Sequence, residues 1–386
     1  MKRLITVISF LLFVSSVIAQ STIRIEIKSL PAYHTSGTAV YAAGSFNGWN
    51  PLNEQYQFQQ DEKGNYFLIL KLNAGTYEYK ITRGSWDKAE CKKNGINAEN
   101  RGLKVEGEMT VELDIEEWAD RVPSKQKPKT STASKNVRII DTAFWIPQLK
   151  RTRRVWIYLP EAYENAAKNY RFPVLYMHDG QNVFDDSTSY AGEWGVDEFL
   201  DSAIVKSCIV VAIDNAGMKR LNEYCPYDFS LTGIAAAYSS NKGEGSLYVD
   251  FLANTLKPFI DKHFRTLKNR SNTFVAGSSM GGLISLYAIL KYPRVFGGAG
   301  VFSPAFWVGP KIFDDIKANS RKVKGKIWFY AGKQEGESMV PDMLKAFQQM
   351  AAVSKSKMMT VIRDEGKHNE PTWRKEFPLF YEWIVK

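Results

Sequence analysis

Ser279 stands in Gly277-Ser278-Ser279-Met280-Gly281, between the apolar run Thr273-Phe274-Val275-Ala276 and the helix-like run Gly282-Leu283-Ile284-Ser285-Leu286-Tyr287. A G-x-S-x-G pentapeptide with a strand before it and a helix after it predicts a nucleophile elbow. Only small residues tolerate so sharp a turn. It lifts the serine hydroxyl clear of the sheet and sets the next backbone N–H, on Met280, at a helix N-terminus, where it can hold a developing oxyanion. The chemistry expected of such a serine is attack on an acyl carbon.

That attack needs a base. The chain holds four histidines, His34, His178, His263 and His368. Serine hydrolases on this fold place nucleophile, acid and histidine in that order along the chain. Only His368 follows Ser279, in the polar loop Asp364-Glu365-Gly366-Lys367-His368-Asn369-Glu370 after the last expected strand. An imidazole there can take the serine proton and return it to a leaving alcohol near neutral pH. The acid that orients it should lie between the two. Glu335, beyond the strand Ile327-Trp328-Phe329-Tyr330-Ala331 and the turn Gly332-Lys333-Gln334, is the first candidate, and Glu337 and Asp342 compete with it.

A second oxyanion donor should come from the loop after an early strand. Met177-His178-Asp179-Gly180-Gln181-Asn182 occupies that place, and the Gln181 N–H is expected to work with that of Met280. His178 reads as a structural residue of this loop, and His263 as a histidine packed on the apolar side of its helix. Trp194, Arg220, Tyr224, Phe306 and Trp307 fall in loops after strands and are candidate walls of a substrate pocket. Aromatic walls would suit a sugar ring or a phenolic acyl group.

These residues must be positioned by strands alternating with helices. Val155–Leu159, Pro173–Met177, Ile209–Ile213, Phe274–Ala276, Ala299–Phe302, Ile327–Tyr330 and Thr360–Ile362 are short apolar runs, the pattern of strands buried on both faces of a mostly parallel sheet. Leu252, Leu256, Phe259 and Ile260 fall between them at helical spacing. The expected fold from residue 138 to 386 is a doubly wound α/β hydrolase domain.

Residues 20–119 have a different grammar. Ile23–Ile27, Ala39–Ala43, Tyr66–Leu70 and Thr76–Ile81 alternate or run apolar between turn signals such as Asn47-Gly48 and Asn94-Gly95. That spacing predicts a small all-β sandwich. Between the two domains, residues 120–137 are basic and rich in Ser, Thr and Pro, so they read as a flexible linker.

The net charge of +10 is local. Six lysines and arginines between Arg121 and Arg138 stand without an acid, and Lys2 and Arg3 add two more. The folded parts are nearly neutral, and nucleic acid is not an expected partner. Residues 1–19 read as a signal peptide: a charged start, an apolar stretch from Leu4 to Val14 and a small-residue cleavage site at Val17-Ile18-Ala19. That stretch is too short for a membrane span. The mature chain is expected to be exported, to the periplasm or the medium. Three cysteines, Cys91, Cys208 and Cys225, exclude a full disulfide framework and leave one Cys208–Cys225 bridge as an alternative to buried thiols. Neither a metal nor a cofactor is expected.

With these residues in view, positions 138–386 resemble the esterase D-like family of α/β-hydrolases, which includes feruloyl, acetyl xylan and siderophore trilactone esterases. The resemblance rests on Val174-Leu175-Tyr176-Met177-His178-Asp179-Gly180-Gln181-Asn182, Ala276-Gly277-Ser278-Ser279-Met280-Gly281-Gly282, Phe302-Ser303-Pro304-Ala305-Phe306-Trp307 and Gly366-Lys367-His368-Asn369-Glu370 with Trp373. It implies that Ser279 and His368 are catalytic and favours Glu335 as the acid. The first domain resembles starch- or glycogen-binding sandwich modules through Ala43-Gly44-Ser45-Phe46-Asn47-Gly48-Trp49-Asn50-Pro51 and Tyr77-Glu78-Tyr79-Lys80-Ile81 followed by Trp86. That likeness implies a sugar platform of Trp49 and Trp86, with Lys80 beside it. Three functions fit: an exported serine carboxylesterase removing acyl groups from saccharides, a siderophore trilactone esterase whose pocket would use Arg220, and an inert hydrolase domain on a glycan-binding protein.

Overall fold

The computed structural model describes residues 20–47, 49–96, 98–121, 130–229 and 242–386. The expected signal peptide therefore lies outside the described residues. The chain divides between residues 126 and 127 into two compact units.

The first unit is built from short strands whose alternation sets their faces. In β1 (Ser21–Ser29), Ile23, Ile25 and Ile27 are buried. Short β2 (Tyr41–Gly44), β3 (Gln59–Gln60) and longer β4 (Tyr66–Leu72) follow, and Ile25 of β1 faces Leu68 of β4 in antiparallel register. After β5 (Gly75–Thr82), β6 (Glu90–Cys91), β7 (Arg101–Val105), β8 (Met109–Asp114) and β9 (Glu117–Trp118), the order is β3-β4-β1-β8 in one sheet and β2-β5-β7 in another, with β6 and β9 paired separately. Inward residues of both larger sheets, among them Ile25, Leu68, Tyr79, Ile81 and Leu103, share one apolar core. This is the expected sandwich.

The second unit carries eight strands: β10 (Val137–Ile146), β11 (Arg151–Tyr158), β12 (Val174–His178), β13 (Ile209–Ile213), β14 (Thr273–Ser278), β15 (Gly298–Phe302), β16 (Lys326–Gly332) and β17 (Lys357–Arg363). They form one sheet in the order β10-β11-β13-β12-β14-β15-β16-β17. β10, β11 and β13 pair antiparallel, and all later pairs are parallel. The central strands are buried on both faces. Val174, Tyr176, Ile209 and Val211 point into one core, while Leu175, Met177, Val210 and Ala212 point into the other. All seven expected strands are present. β10 escaped the sequence reading because it is an edge strand, mostly solvent-facing, with breaks in register, and polar Asp141 and Thr142 divide its apolar residues into two short stretches.

One expectation changes and one alternative closes. Only 122–129 of the expected 120–137 linker lies outside the described residues; Ala119 and Arg121 still bond back to the first unit, through Ala89 and Trp118. Residues 131–134 are pinned to the second unit, because Ser131 Oγ donates to Asp185 Oδ2 at 2.7 Å and the Ser134 N–H donates to Asp197 Oδ2 at 2.7 Å. A polar, apolar-poor segment can be ordered by hydrogen bonds that composition does not reveal. All three cysteines are buried free thiols, so the Cys208–Cys225 bridge is not formed. Among the described residues, no helix is long and apolar enough to cross a membrane.

Candidate active site

Parallel strands end together, so the loops after them converge. Ser279 follows β14, Ser303 follows β15, Glu335 lies three residues past β16, and His368 lies five past β17. These four strands are consecutive neighbours in the sheet.

Ser279 joins β14 to the helix Met280–Lys291 with φ 59° and ψ −120°. A non-glycine residue at such a φ stores on the order of 1–3 kcal/mol of strain and persists only where its surroundings hold it. Here its N–H donates to Phe302 O at 2.9 Å, and its carbonyl accepts from Ala305 N–H at 3.0 Å. Beneath the turn lies His178. A Cβ at Gly277 would sit 3.0 Å from His178 Cδ2, so the first glycine of the pentapeptide leaves room for that ring.

The acid and base loops meet just as closely. A Cβ on Gly332 would fall 2.2 Å from Gly366 O, and the Gln334 N–H donates to that same carbonyl at 3.0 Å. This contact brings Glu335 Oε2 to 2.7 Å from His368 Nδ1. Glu335 Oε1 accepts from the Gly332 N–H at 2.6 Å and from Ser303 Oγ at 2.9 Å. The Glu335 side chain is fully buried and the His368 side chain is 37 % exposed. The imidazole is therefore oriented from behind and open in front. Trp373 packs edge-on against it, with ring centroids 5.1 Å apart, and donates from Nε1 to Ser303 Oγ at 2.8 Å. Ser279 Oγ and His368 Nε2 are not hydrogen-bonded in this structure. Ser279 stands at the end of β14 and His368 beyond the end of β17, in the same row of strand ends, and catalytic hydrogen bonds of this kind are often long until substrate binds.

The two N–H groups expected at an oxyanion, those of Met280 and Gln181, donate to no acceptor among the described residues. The Gln181 loop is held from several sides. Asn215 N–H donates to Gln181 Oε1 at 3.1 Å, Thr188 Oγ1 to Gln181 O at 2.7 Å, and Asn182 Nδ2 to Glu370 Oε1 at 3.1 Å. Burial first, and then Asp179, raise the Glu370 pKa, while Arg220 and His368 oppose that rise.

The expected pocket walls fare unevenly. Trp194 is buried in the aromatic core, stacked on Trp373 at 5.9 Å, and backs the site instead of lining it. Tyr224 is fully buried, its hydroxyl accepting the Asp179 N–H. Phe306 is likewise core. Arg220 is committed to Asp179 through two bonds of 2.6 and 2.8 Å, so it is not a free cation awaiting a catechol. Burial works against the Asp179 charge, but Arg220 outweighs it and holds the carboxyl below its usual range. Trp307 is 60 % exposed and stays available to a ligand. Large aromatics after strands fill the space between loop and helix first, and sequence alone does not separate the two fates. Tyr190, which sequence reasoning did not single out, is exposed, and its N–H donates to Asn182 Oδ1 of the Gln181 loop. Ser303 and Glu370 were missed as parts of the site, although both stood in the stretches that carried the family likeness. His263 also differs from expectation, being exposed, with its ring against Phe259.

His178 is 2 % exposed, its Nδ1 2.9 Å from the Tyr248 hydroxyl and its Nε2 without a partner. Burial pushes its pKa down to about 4, Arg220 adding to the fall and Asp179 opposing it. The unfolded ring takes a proton near pH 6.5 that the folded ring refuses until about pH 4. Stability from this group is therefore complete above about pH 6.5 and lost as pH falls toward 4. Between those limits, urea unfolding of the native protein should lose roughly 3 kcal/mol more than a His178→Gln variant does. Equal losses would mean that the ring is not kept neutral by the fold.

In the first unit, Trp49 and Trp86 come together, with ring centroids 6.3 Å apart and planes tilted by 40°. Trp86 is 38 % exposed and Trp49 half-buried. Lys80, opposite Ala43 in the sheet, is half-buried, and burial lowers its pKa against the pull of Glu90.

Comparison with known proteins follows the same division. The family model described as "Putative esterase" matches residues 146–380, and the one described as "Pullulanase X25 domain" matches residues 33–120. A Bacillus subtilis protein, YbbA, is 28% identical over 244 residues, 60% of this chain and 92% of that one. The endo-1,4-beta-xylanase/feruloyl esterase of Xylanibacter ruminicola is 27% identical over 180 residues, covering 46% of this chain and 23% of its own. Among solved structures, the enterobactin esterase Fes of Shigella flexneri superposes with a TM-score of 0.51 at 16% identity, over 94% of this chain and 92% of that one. At that identity the likeness is one of fold.

Proposed function

This chain belongs to the esterase family of α/β-hydrolases and is a serine hydrolase of carboxylic esters, and we propose that it removes feruloyl or acetyl groups from oligo- or polysaccharides. Ser279 is the nucleophile, His368 the general base and Glu335 the acid that orients it. The observation that supports these roles is that four neighbouring strands end in a strained serine, Ser303, a buried, doubly bonded carboxylate and the histidine that this carboxylate fixes.

In this reaction Ser279 Oγ attacks the ester carbonyl as its proton passes to His368 Nε2. The tetrahedral oxyanion rests on the N–H groups of Met280 and Gln181, and His368 returns the proton to the departing alcohol. Water, activated by the same imidazole, then cleaves the acyl-enzyme. Binding, positioning and proton transfer all fall to residues of this chain.

The saccharide reading is supported by the X25-type domain and by the feruloyl esterase relative. A signal-like leader fits export toward an extracytoplasmic substrate. The test compares kcat/KM for methyl ferulate, acetylated xylan oligomers and a catechol trilactone. Saccharide or ferulate esters should lead, and a trilactone preferred by tenfold or more would replace this reading with the siderophore one. The inert-domain reading is set aside by the enzyme family itself.

Trp49 and Trp86 form the glycan platform. Stacking a sugar on an indole contributes roughly 1.5 kcal/mol, so Trp86→Ala should weaken binding to soluble starch about tenfold. Affinity electrophoresis reads this directly. Native mobility unaffected by starch, glycogen or xylan would leave the first domain a structural part.

A further inference from the structure

Beside the Gln181 loop, the start of the helix Val196–Ser202 gathers acids. Glu193, Asp197 and Glu198 each present an oxygen within 4.8 Å of the others. Glu193 is 5 % exposed and Asp197 is fully buried. Some of their oxygens have partners: Asp197 Oδ2 accepts the Ser134 N–H, while Glu193 Oε1 and Glu198 Oε1 face the Arg374 guanidinium at long distances of 3.5 and 3.7 Å. The remaining oxygens, Glu193 Oε2, Asp197 Oδ1 and Glu198 Oε2, are all buried and have no hydrogen-bond partner.

One guanidinium set against three carboxylates leaves two negative charges uncompensated, with Glu193 and Asp197 buried and the Glu198 side chain 36 % exposed. Buried charges are paired, neutralised or bound to metal. Every donor here is an oxygen, with no histidine nitrogen or thiolate, which selects a hard cation. Calcium lies about 2.3–2.6 Å from its oxygens, so one ion can reach ligands that stand up to about 5 Å apart, whereas magnesium demands a tighter shell. Its charge also equals the deficit.

We propose that Glu193, Asp197 and Glu198 form a structural site for one calcium-class divalent cation, with water completing its coordination. Such an ion would fasten three segments. Residues 131–134 dock on Asp185 and Asp197. The Trp194 N–H donates to Asn182 O, and Val196 N–H to Val183 O, which ties the acidic loop to the loop of Gln181. Trp194 stacks on Trp373, the ring packed against His368. The ion would thereby stiffen the supports of both the oxyanion loop and the base without touching substrate. Sequence spacing gave no hint of it, because the ligands are ordinary acids in a helix-start segment and only tertiary packing buries Glu193 and Asp197 and brings Arg374 and residues 131–134 beside them.

The competing way to neutralise the cluster is protonation: without a cation, burial first and the neighbouring carboxylates next push both Glu193 and Asp197 up to about 7. The experiment separates the two. Full-length mature protein, stripped with EDTA and dialysed at pH 7.5, is titrated with CaCl2 by calorimetry and by thermal unfolding, with NaCl of equal ionic strength as the control. One ion should bind with a Kd at or below about 1 mM, as in extracellular calcium modules. At ten times that Kd, Tm should rise by roughly 3–6 °C. Asp197→Asn should abolish the rise while Ser279 remains labelled by a fluorophosphonate probe. No calorimetric binding to the native protein overturns the proposal. So does a Tm that ignores CaCl2 but rises as pH falls from 8 to 6, which assigns the cluster to protons.

Discussion

Replacing Ser279 by alanine should reduce kcat/KM for p-nitrophenyl acetate by about 10⁴-fold or more, a loss of roughly 5.5 kcal/mol of transition-state stabilisation. The substitution removes one oxygen and nothing else. Alanine keeps the Cβ and can be held at φ 59° by the same backbone bonds to Phe302 and Ala305. The thermal midpoint should therefore stay within a few degrees of the native value. What survives is the oxyanion pair, which alone speeds attack by water modestly. A variant that kept a tenth of native activity, with its fold intact, would place the nucleophile elsewhere. The native protein should also be labelled at Ser279 by a fluorophosphonate, and the variant not at all.

The second large effect is Glu335→Gln, with about a 10³–10⁴-fold fall in kcat and little change in KM. The effect is one of proton placement. Glu335 Oε1 accepts from two donors, the Gly332 N–H and Ser303 Oγ, so a glutamine must keep its oxygen on that side. Its amide NH2 then faces His368 Nδ1, where the carboxylate stood. An NH2 group can only donate there. The imidazole is driven to carry its proton on Nε2, the nitrogen that should accept from Ser279. Geometry is conserved and the tautomer is wrong. Glu335→Ala offers the contrast: it leaves Nδ1 without a partner but imposes no tautomer, and should fall by a smaller factor. If Glu335→Gln were nearly as active as native enzyme, Glu335 would merely brace the Gly332 turn. Glu337→Gln and Asp342→Asn, on the other residues in reach by sequence, should be close to neutral.

The fold was legible wherever local pattern and tertiary demand agree. Central strands of a parallel sheet are buried on both faces and must be apolar throughout, so β12 to β16 announced themselves as short apolar runs. β10 is mostly exposed and has broken register, and its apolar residues, divided by Asp141 and Thr142, do not read as one strand. Aromatic residues in loops carried the least information. Trp194, Tyr224 and Trp307 look alike in sequence, yet two are core and one is exposed. An indole is large enough to serve either purpose, and its neighbours decide. Arg220 was legible as a cation near the site but not as one already matched by Asp179.

The chain by itself determined the fold class, the central strands and the candidates for each catalytic role. A strand, a glycine-flanked serine and a helix can only make one kind of turn, because the backbone dihedrals of that turn exclude bulk. Four histidines with one beyond the serine leave one base. What only the tertiary structure shows is which groups meet: Glu335, the first of three candidates, against His368, Trp49 against Trp86, residues 131–134 against Asp185 and Asp197, and Glu193, Asp197 and Glu198 against one another. Each depends on distances across the sheet or between loops, such as Gly332 against Gly366. Local sequence fixes dihedral preferences within a few residues. Which charges end up facing one another, and whether water can reach them, is set by packing between segments far apart in the chain.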